Sequence, residues 1–193
     1  MSATNHAQKI KQDSKDYLTT ALFQLLQTKC LNEIKITDLV KRAGVSRMAF
    51  YRNFETIDEV LIEYFEPKIQ SLFDAVILQI PTTQKLQELA YFFNEFSSEL
   101  TLAVKREYEF IIQRIFNKHM TKFYFDEAPK RWPTIKENEL VYWTHFMSAG
   151  IYAIWKEWFL DMDRSTLVEV HDLINKFQNG TALLLLADKK TEK

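Results

Sequence analysis

The 193-residue chain is poor in the residues that punctuate a fold, with three Gly and four Pro in all. All-β proteins need turn residues about every 8–12 positions. So few excludes a sandwich or barrel and predicts long helices joined by short connections. Cysteine is almost missing too. The single Cys30 excludes an intramolecular disulfide framework and a cysteine zinc cluster. No long apolar run is present: residues 140–160 come nearest to a membrane span, but His145, Lys156 and Glu157 interrupt them. The uninterrupted pieces fall well short of the roughly 20 residues a bilayer demands. Residues 1–12 are polar, without the apolar core of a secretory signal. The expectation is a soluble, cytoplasmic protein with no membrane partner.

Neither sign of charge dominates, since 25 Lys and Arg stand against 26 Asp and Glu. The distribution is uneven, however. Residues 1–55 hold nine basic and five acidic side chains, a charge of +4, which leaves −5 on the remainder. That asymmetry puts any electrostatic footprint for phosphate in the first quarter of the chain.

Hydrophobic residues make up 47% of the chain, enough for a substantial core. They recur at helical spacing nearly throughout. A first helix over 7–28 carries Ile10, Tyr17, Leu18, Ala21, Leu22, Leu25 and Leu26 on one stripe. Short helices follow over 37–43 and 47–53, then a longer one starting at Thr56. There Thr56 and Glu59 have the spacing of a capping box. Pro67 should kink or break that helix near Glu66. Further helices are expected over 84–99, 104–125, 136–160 and 165–187, with Pro81 marking a boundary and a loop from Pro129 to Pro133. The tail from 188 should fray.

The informative stretch is residues 36–54, which reads as helix, tight turn, helix. Gly44 supplies the positive φ that ends the first helix, and Ser46 is a good N-cap for the second. Leu39, Val40, Val45 and Phe50 are placed to hold the pair together. The second helix then offers Arg47, Met48, Tyr51 and Arg52 outward. A short capped helix with arginines near its start suits the DNA major groove. Arg can donate two parallel hydrogen bonds to guanine or clamp a phosphate, and Tyr51 can donate to a phosphate. Thr37, read as the cap of the first helix, suits a backbone phosphate as well. The competing reading is an ordinary αα-corner with Arg47 and Arg52 as solvated charges and Met48 as filler.

The run from Ile36 to Leu61, above all Gly44-Val45-Ser46, Phe50-Tyr51 and Phe54, resembles the DNA-binding domain of the TetR family, and the likeness covers about residues 8–65. Residues 148–158, Ser-Ala-Gly-Ile-Tyr-Ala-Ile-Trp-Lys-Glu-Trp, are similar to a TetR subgroup that includes regulators of dihydroxyacetone-kinase operons. One position departs. Where TetR members commonly carry a phosphate-binding Lys, three residues after the aromatic that ends the recognition helix, this chain has Ile57. The resemblance implies an all-α fold. A helix-turn-helix domain over 1–56 is linked through a helix over 57–80 to a helical effector-binding and dimerisation domain, 57–193. It further implies a homodimer on palindromic double-stranded DNA, a repressor released by a small-molecule effector, with a four-helix interface built from the last two helices.

The stretch 136–160 is apolar on more than one side, so it should be buried on more than one side. Trp143, Met147, Gly150, Ile154 and Trp158 form the stripe assigned to a partner copy, with Ser148-Ala149-Gly150 permitting close approach. The alternative is a wholly intramolecular helix. Aromatic richness in the body points to a mostly apolar ligand with one polar or anionic end. Phe93, Phe116, His119, Tyr142 and His145 are the candidates to line its cavity, although each His is also a plausible hydrogen-bonded core residue. No metal site is expected, since no thiol or carboxylate joins the histidines at ligand spacing. No cofactor and no catalytic constellation is visible either. An activator of the same fold, or a helical interaction protein that has lost DNA binding, are the remaining readings.

Overall fold

The computed structural model describes residues 3–77, 82–161 and 165–187. Among them the chain is all-α, with no strand. The order is α1 (Ala3–Leu26), a 3₁₀ turn (Leu31–Glu33), α2 (Ile36–Ala43), α3 (Arg47–Asn53), α4 (Ile57–Ser71), a π-helical turn (Leu72–Ile77), α5 (Thr82–Lys105), α6 (Glu109–Arg131), α7 (Glu137–Leu160) and α8 (Leu167–Ala187). No helix among the described residues is long and apolar enough to cross a membrane.

Two compact units emerge, one extending up to Lys68 and including Ser98–Ile112, the other Ile69–Ser97 and Gln113 onward. The first unit is therefore larger than residues 1–56, because the α5–α6 junction belongs to it. In this unit α1 packs on α2 and α3. Leu18, Leu22, Leu26, Leu39, Phe50, Val60, Leu61 and Phe65 are fully buried. Ile10 and Tyr17, placed on the buried stripe of α1 by spacing, are exposed instead, since the short α2–α3 pair covers only the later turns of a 24-residue helix.

Two prolines that should have ended helices do not. Pro67 sits inside α4 and Pro129 inside α6. Each forfeits one backbone hydrogen bond. Burial of Phe65 and Ile69 around the first, and of Tyr124 and Ala128 before the second, keeps the helix intact. The α5–α6 break falls later than expected, at Arg106–Tyr108. Glu107 makes the turn with φ +62° although it is not glycine. The neighbourhood holds it there. The Leu31 amide donates to the Arg106 carbonyl (3.0 Å), Asn32 Nδ2 to the Glu107 carboxylate (3.3 Å), and the Arg106 guanidinium to the Gln27 carbonyl. Tyr108 is fully buried and stacks on Phe65 at 6.3 Å.

The second unit is built around aromatics. Phe93 meets Trp155 (4.7 Å), Phe159 (5.2 Å) and Trp158 (5.8 Å), and Phe116 meets Trp155 (5.1 Å) and Tyr152 (5.4 Å). α8 opens with a complete capping box: the Thr166 amide donates to the Glu169 carboxylate (2.7 Å), and the Glu169 amide to the Thr166 hydroxyl (3.3 Å).

Candidate nucleic-acid interface

The geometry of α2 and α3 follows from three residues. Gly44 closes α2 in the left-handed region, φ +68°, its amide reaching the Lys41 carbonyl. Ser46, in extended conformation, caps α3 by accepting the Ala49 amide at 3.1 Å, a contact typically worth about 1 kcal/mol. Phe50 then anchors α3 from below, fully buried, with Phe54 beside it at 6.0 Å. With that face fixed inward, the opposite one must face solvent. Met48 is 74% and Tyr51 52% exposed, and Ser46, Arg47 and Arg52 are exposed with them.

The Arg47 guanidinium lies 6.0 Å from the Tyr51 ring centre, so the two act as one exposed patch. Several other cations of this unit are already engaged: Lys15 with Glu63 (2.6 Å), Lys29 with Asp38 (3.3 Å), and Arg42 with Gln24 (2.8 Å). Among the described residues no ion pair holds Arg47, Arg52 or Lys41, so their donors remain available to an outside acceptor. Thr37 is exposed but is not the cap of α2. That place is taken by Lys35, which makes no side-chain cap bond, because α2 starts one residue earlier, at Ile36. Thr37 therefore lies in the first helical turn, beside the unpaired amides. At α4 the Glu59 carboxylate accepts the Glu55 amide (2.7 Å), one residue before the Thr56 amide of the expected box. Ile57 is half-buried at the first turn.

Elsewhere in the same unit Tyr64 donates to Glu99 (2.6 Å), as does Lys68 (2.5 Å). Burial and the Glu99 hydrogen bond push the Tyr64 phenol up. Burial alone would lower Lys68, but hydrogen bonds to Glu99 and Tyr64 outweigh it and hold the ammonium above its ordinary value. No spacing along the chain announces this cluster, because it unites α4 and α5 at positions more than thirty residues apart.

In the second unit the stripes of α7 are phased differently from expectation. Trp143 and Met147, assigned to a partner, are buried in their own unit. Trp143 donates to Thr181 (2.9 Å) and meets Tyr124 and Trp132 edge-on. Trp158 donates to the Ser165 carbonyl (2.6 Å) and packs on Phe93. Tyr142 (77% exposed) and His145, assigned to a cavity, face solvent. The cause is that Thr144 and Ser148 are the buried polar residues, satisfied by the Val141 carbonyl (2.8 Å) and Thr121 (2.8 Å), while aromatics lie outside. Gly150 is exposed and Ile154 half-buried. They line an apolar groove of about 200 Å³ with Phe146 of α7 and Ile174 and Phe177 of α8. Of the expected cavity residues, Phe93 and Phe116 are buried and His119 is half-buried, stacked on Phe73 at 5.6 Å. Among the described residues no three His, Cys, Asp or Glu side chains group to hold a metal ion.

No protein-family profile matches the chain. The chain is similar to the HTH-type transcriptional regulator EthR of Mycolicibacterium smegmatis, 36% identical over 81 residues. That match covers 39% of this chain and 37% of the relative, so the chain spans little more than a third of the length of the curated relative it matches. The matched relative is named a helix-turn-helix regulator, and the match does not reach the dihydroxyacetone-kinase subgroup.

Proposed function

We propose that the chain is a TetR-type transcriptional regulator. Two copies read a palindromic operator, each laying α3 in a major groove, and a small-molecule effector releases them. The observation that carries this reading is α3 itself. It is capped at Ser46, anchored by buried Phe50, and presents exposed Arg47, Met48, Tyr51 and Arg52. Base edges would meet Arg47 and Met48 near the helix start, and phosphates would meet Tyr51, Arg52 and Thr37. Similarity to a named helix-turn-helix regulator supports it. The finer kinship with dihydroxyacetone-kinase operon regulators, and action in the cytoplasm, belong to the same proposal.

The homodimer rests on the outer face of α7 and α8. Tyr142, Phe146, Phe177 and Leu184 are 77, 63, 48 and 69% exposed. Phe146 and Phe177 share the apolar groove, and exposed apolar surface of that kind marks an interaction site. A second copy, applying the same face, covers it by two-fold symmetry. Effector binding would favour a spacing of the two α3 helices that no longer fits successive groove turns. Half-buried Ile57 favours a second reading, an interaction protein with weakened DNA contacts. A gel shift with DNA flanking the protein's own gene, competed by unrelated DNA, separates them: retained preference for the flanking fragment supports the regulator, and none overturns it.

A further inference from the structure

We propose that the cleft at the C-terminal end of α6 is a binding site for a small planar aromatic anion. The cleft encloses about 340 Å³, a size that suits a one- or two-ring ligand. Phe123, Tyr124 and Trp132 give its walls an aromatic part. Tyr124 and Trp132 are 3 and 9% exposed. Both are braced by Trp143, at 5.1 and 5.5 Å between ring centres, and Trp143 is itself fixed by its hydrogen bond to Thr181. Side chains braced this way line the cleft without losing side-chain freedom when a ligand enters.

Polar groups enter from two helices. Gln178 of α8, which also lines the cleft, accepts the Tyr124 hydroxyl at 3.3 Å through its carbonyl oxygen and keeps its NH₂ as a donor. Lys130 is neutralised by Glu127 at 2.6 Å. Arg131 supplies the surplus positive charge, its guanidinium 4.9 Å from the Trp132 ring centre. A guanidinium beside an aromatic plane combines stacking with a two-pronged grip on a carboxylate. Burial holds the Tyr124 phenol well above its ordinary value, so no negative charge arises in the wall at neutral pH.

As the seat of the effector this site rests on the regulatory reading; as a binding site it does not. The test uses the full chain and 2-naphthoate, with inorganic phosphate as control, by titration calorimetry and tryptophan fluorescence. Naphthoate should bind and quench, and phosphate should not bind. Arg131→Glu should weaken naphthoate about ten-fold or more, the loss of one charge-assisted contact. Glu127→Gln, which releases Lys130, should tighten it several-fold. Lys122→Glu, the same charge change at an exposed position that does not line the cleft, should leave it within about two-fold. Equal losses in Arg131→Glu and Lys122→Glu, no tightening in Glu127→Gln, or phosphate binding as well as naphthoate overturns the site. Binding that follows the pattern without release of DNA upholds the site and overturns its role as effector seat.

Discussion

Gly150 offers a substitution whose sign depends on whether the α7–α8 face is covered. In a single copy, a Cβ built at Gly150 meets nothing within 4 Å. Gly150→Ala therefore adds a methyl into open space and removes the helix penalty of glycine, which is worth about 0.5–1 kcal/mol. For a chain of this size that raises the unfolding midpoint by roughly 1–4 °C. If a second copy seats on the groove between Phe146 and Phe177, the added bulk lies where a helix approaches closely, and two-fold symmetry counts it twice. Gly150→Leu should then cost about 1–3 kcal/mol in packing per site. That is roughly a five- to 150-fold rise in the dimer dissociation constant before doubling. Sedimentation velocity over a concentration series measures it, with thermal unfolding alongside. The expected result is a Leu variant that folds at least as well as the wild type at low concentration but dissociates. A Leu variant that stays as dimeric as the wild type places Gly150 outside the interface and refutes the reasoning.

Gly44→Ala should destabilise by about 1–2 kcal/mol, because φ is +68° and open space leaves only the backbone cost. Gly44→Asn should recover part of it in urea denaturation, and equal losses would remove the left-handed argument. Ile57→Lys should tighten DNA binding irrespective of sequence and steepen its salt dependence by about one unit; an unchanged slope means residue 57 does not face the phosphate backbone. The raised values of Tyr64 and Lys68 fix a sign for alkaline pH. Groups raised on folding stabilise fully below their ordinary values of 10.0 and 10.5 and lose that contribution as pH rises through the folded values. Unfolding followed from pH 8 to 11 should show a decline that Glu99→Gln flattens, and parallel wild-type and variant curves would show that Glu99 is not the cause.

Local signals were the legible ones. Gly44, Ser46 and Phe50 each dictate one piece of backbone or burial within seven residues of chain, and the helix-turn-helix follows from them. Long helices were readable from periodicity, their ends less so. The α5–α6 turn uses Glu107 where a glycine would have announced it, and Pro67 and Pro129 end no helix, because burial of their neighbours outweighs one lost hydrogen bond. α7 shows where periodicity runs out. A helix apolar all round lacks a polar face to set its phase, and its buried Thr144 and Ser148 point the reader the wrong way. The exposed positions of Tyr142 and His145 follow from partners on α6 and α8, which spacing along one helix does not encode.

The central claim is that α3 reads DNA sequence. Fluorescence anisotropy at fixed salt, with the DNA fragment preferred from beside the gene and a shuffled copy of it, tests this most directly in the wild type, Arg47→Ala and Tyr51→Ala. Both side chains are exposed, so the variants should fold normally. The account predicts a loss of about 1–3 kcal/mol on the preferred fragment for each variant. For Arg47→Ala it also predicts a narrowed gap between preferred and shuffled DNA. Wild-type affinity and an undiminished gap in both variants would contradict it.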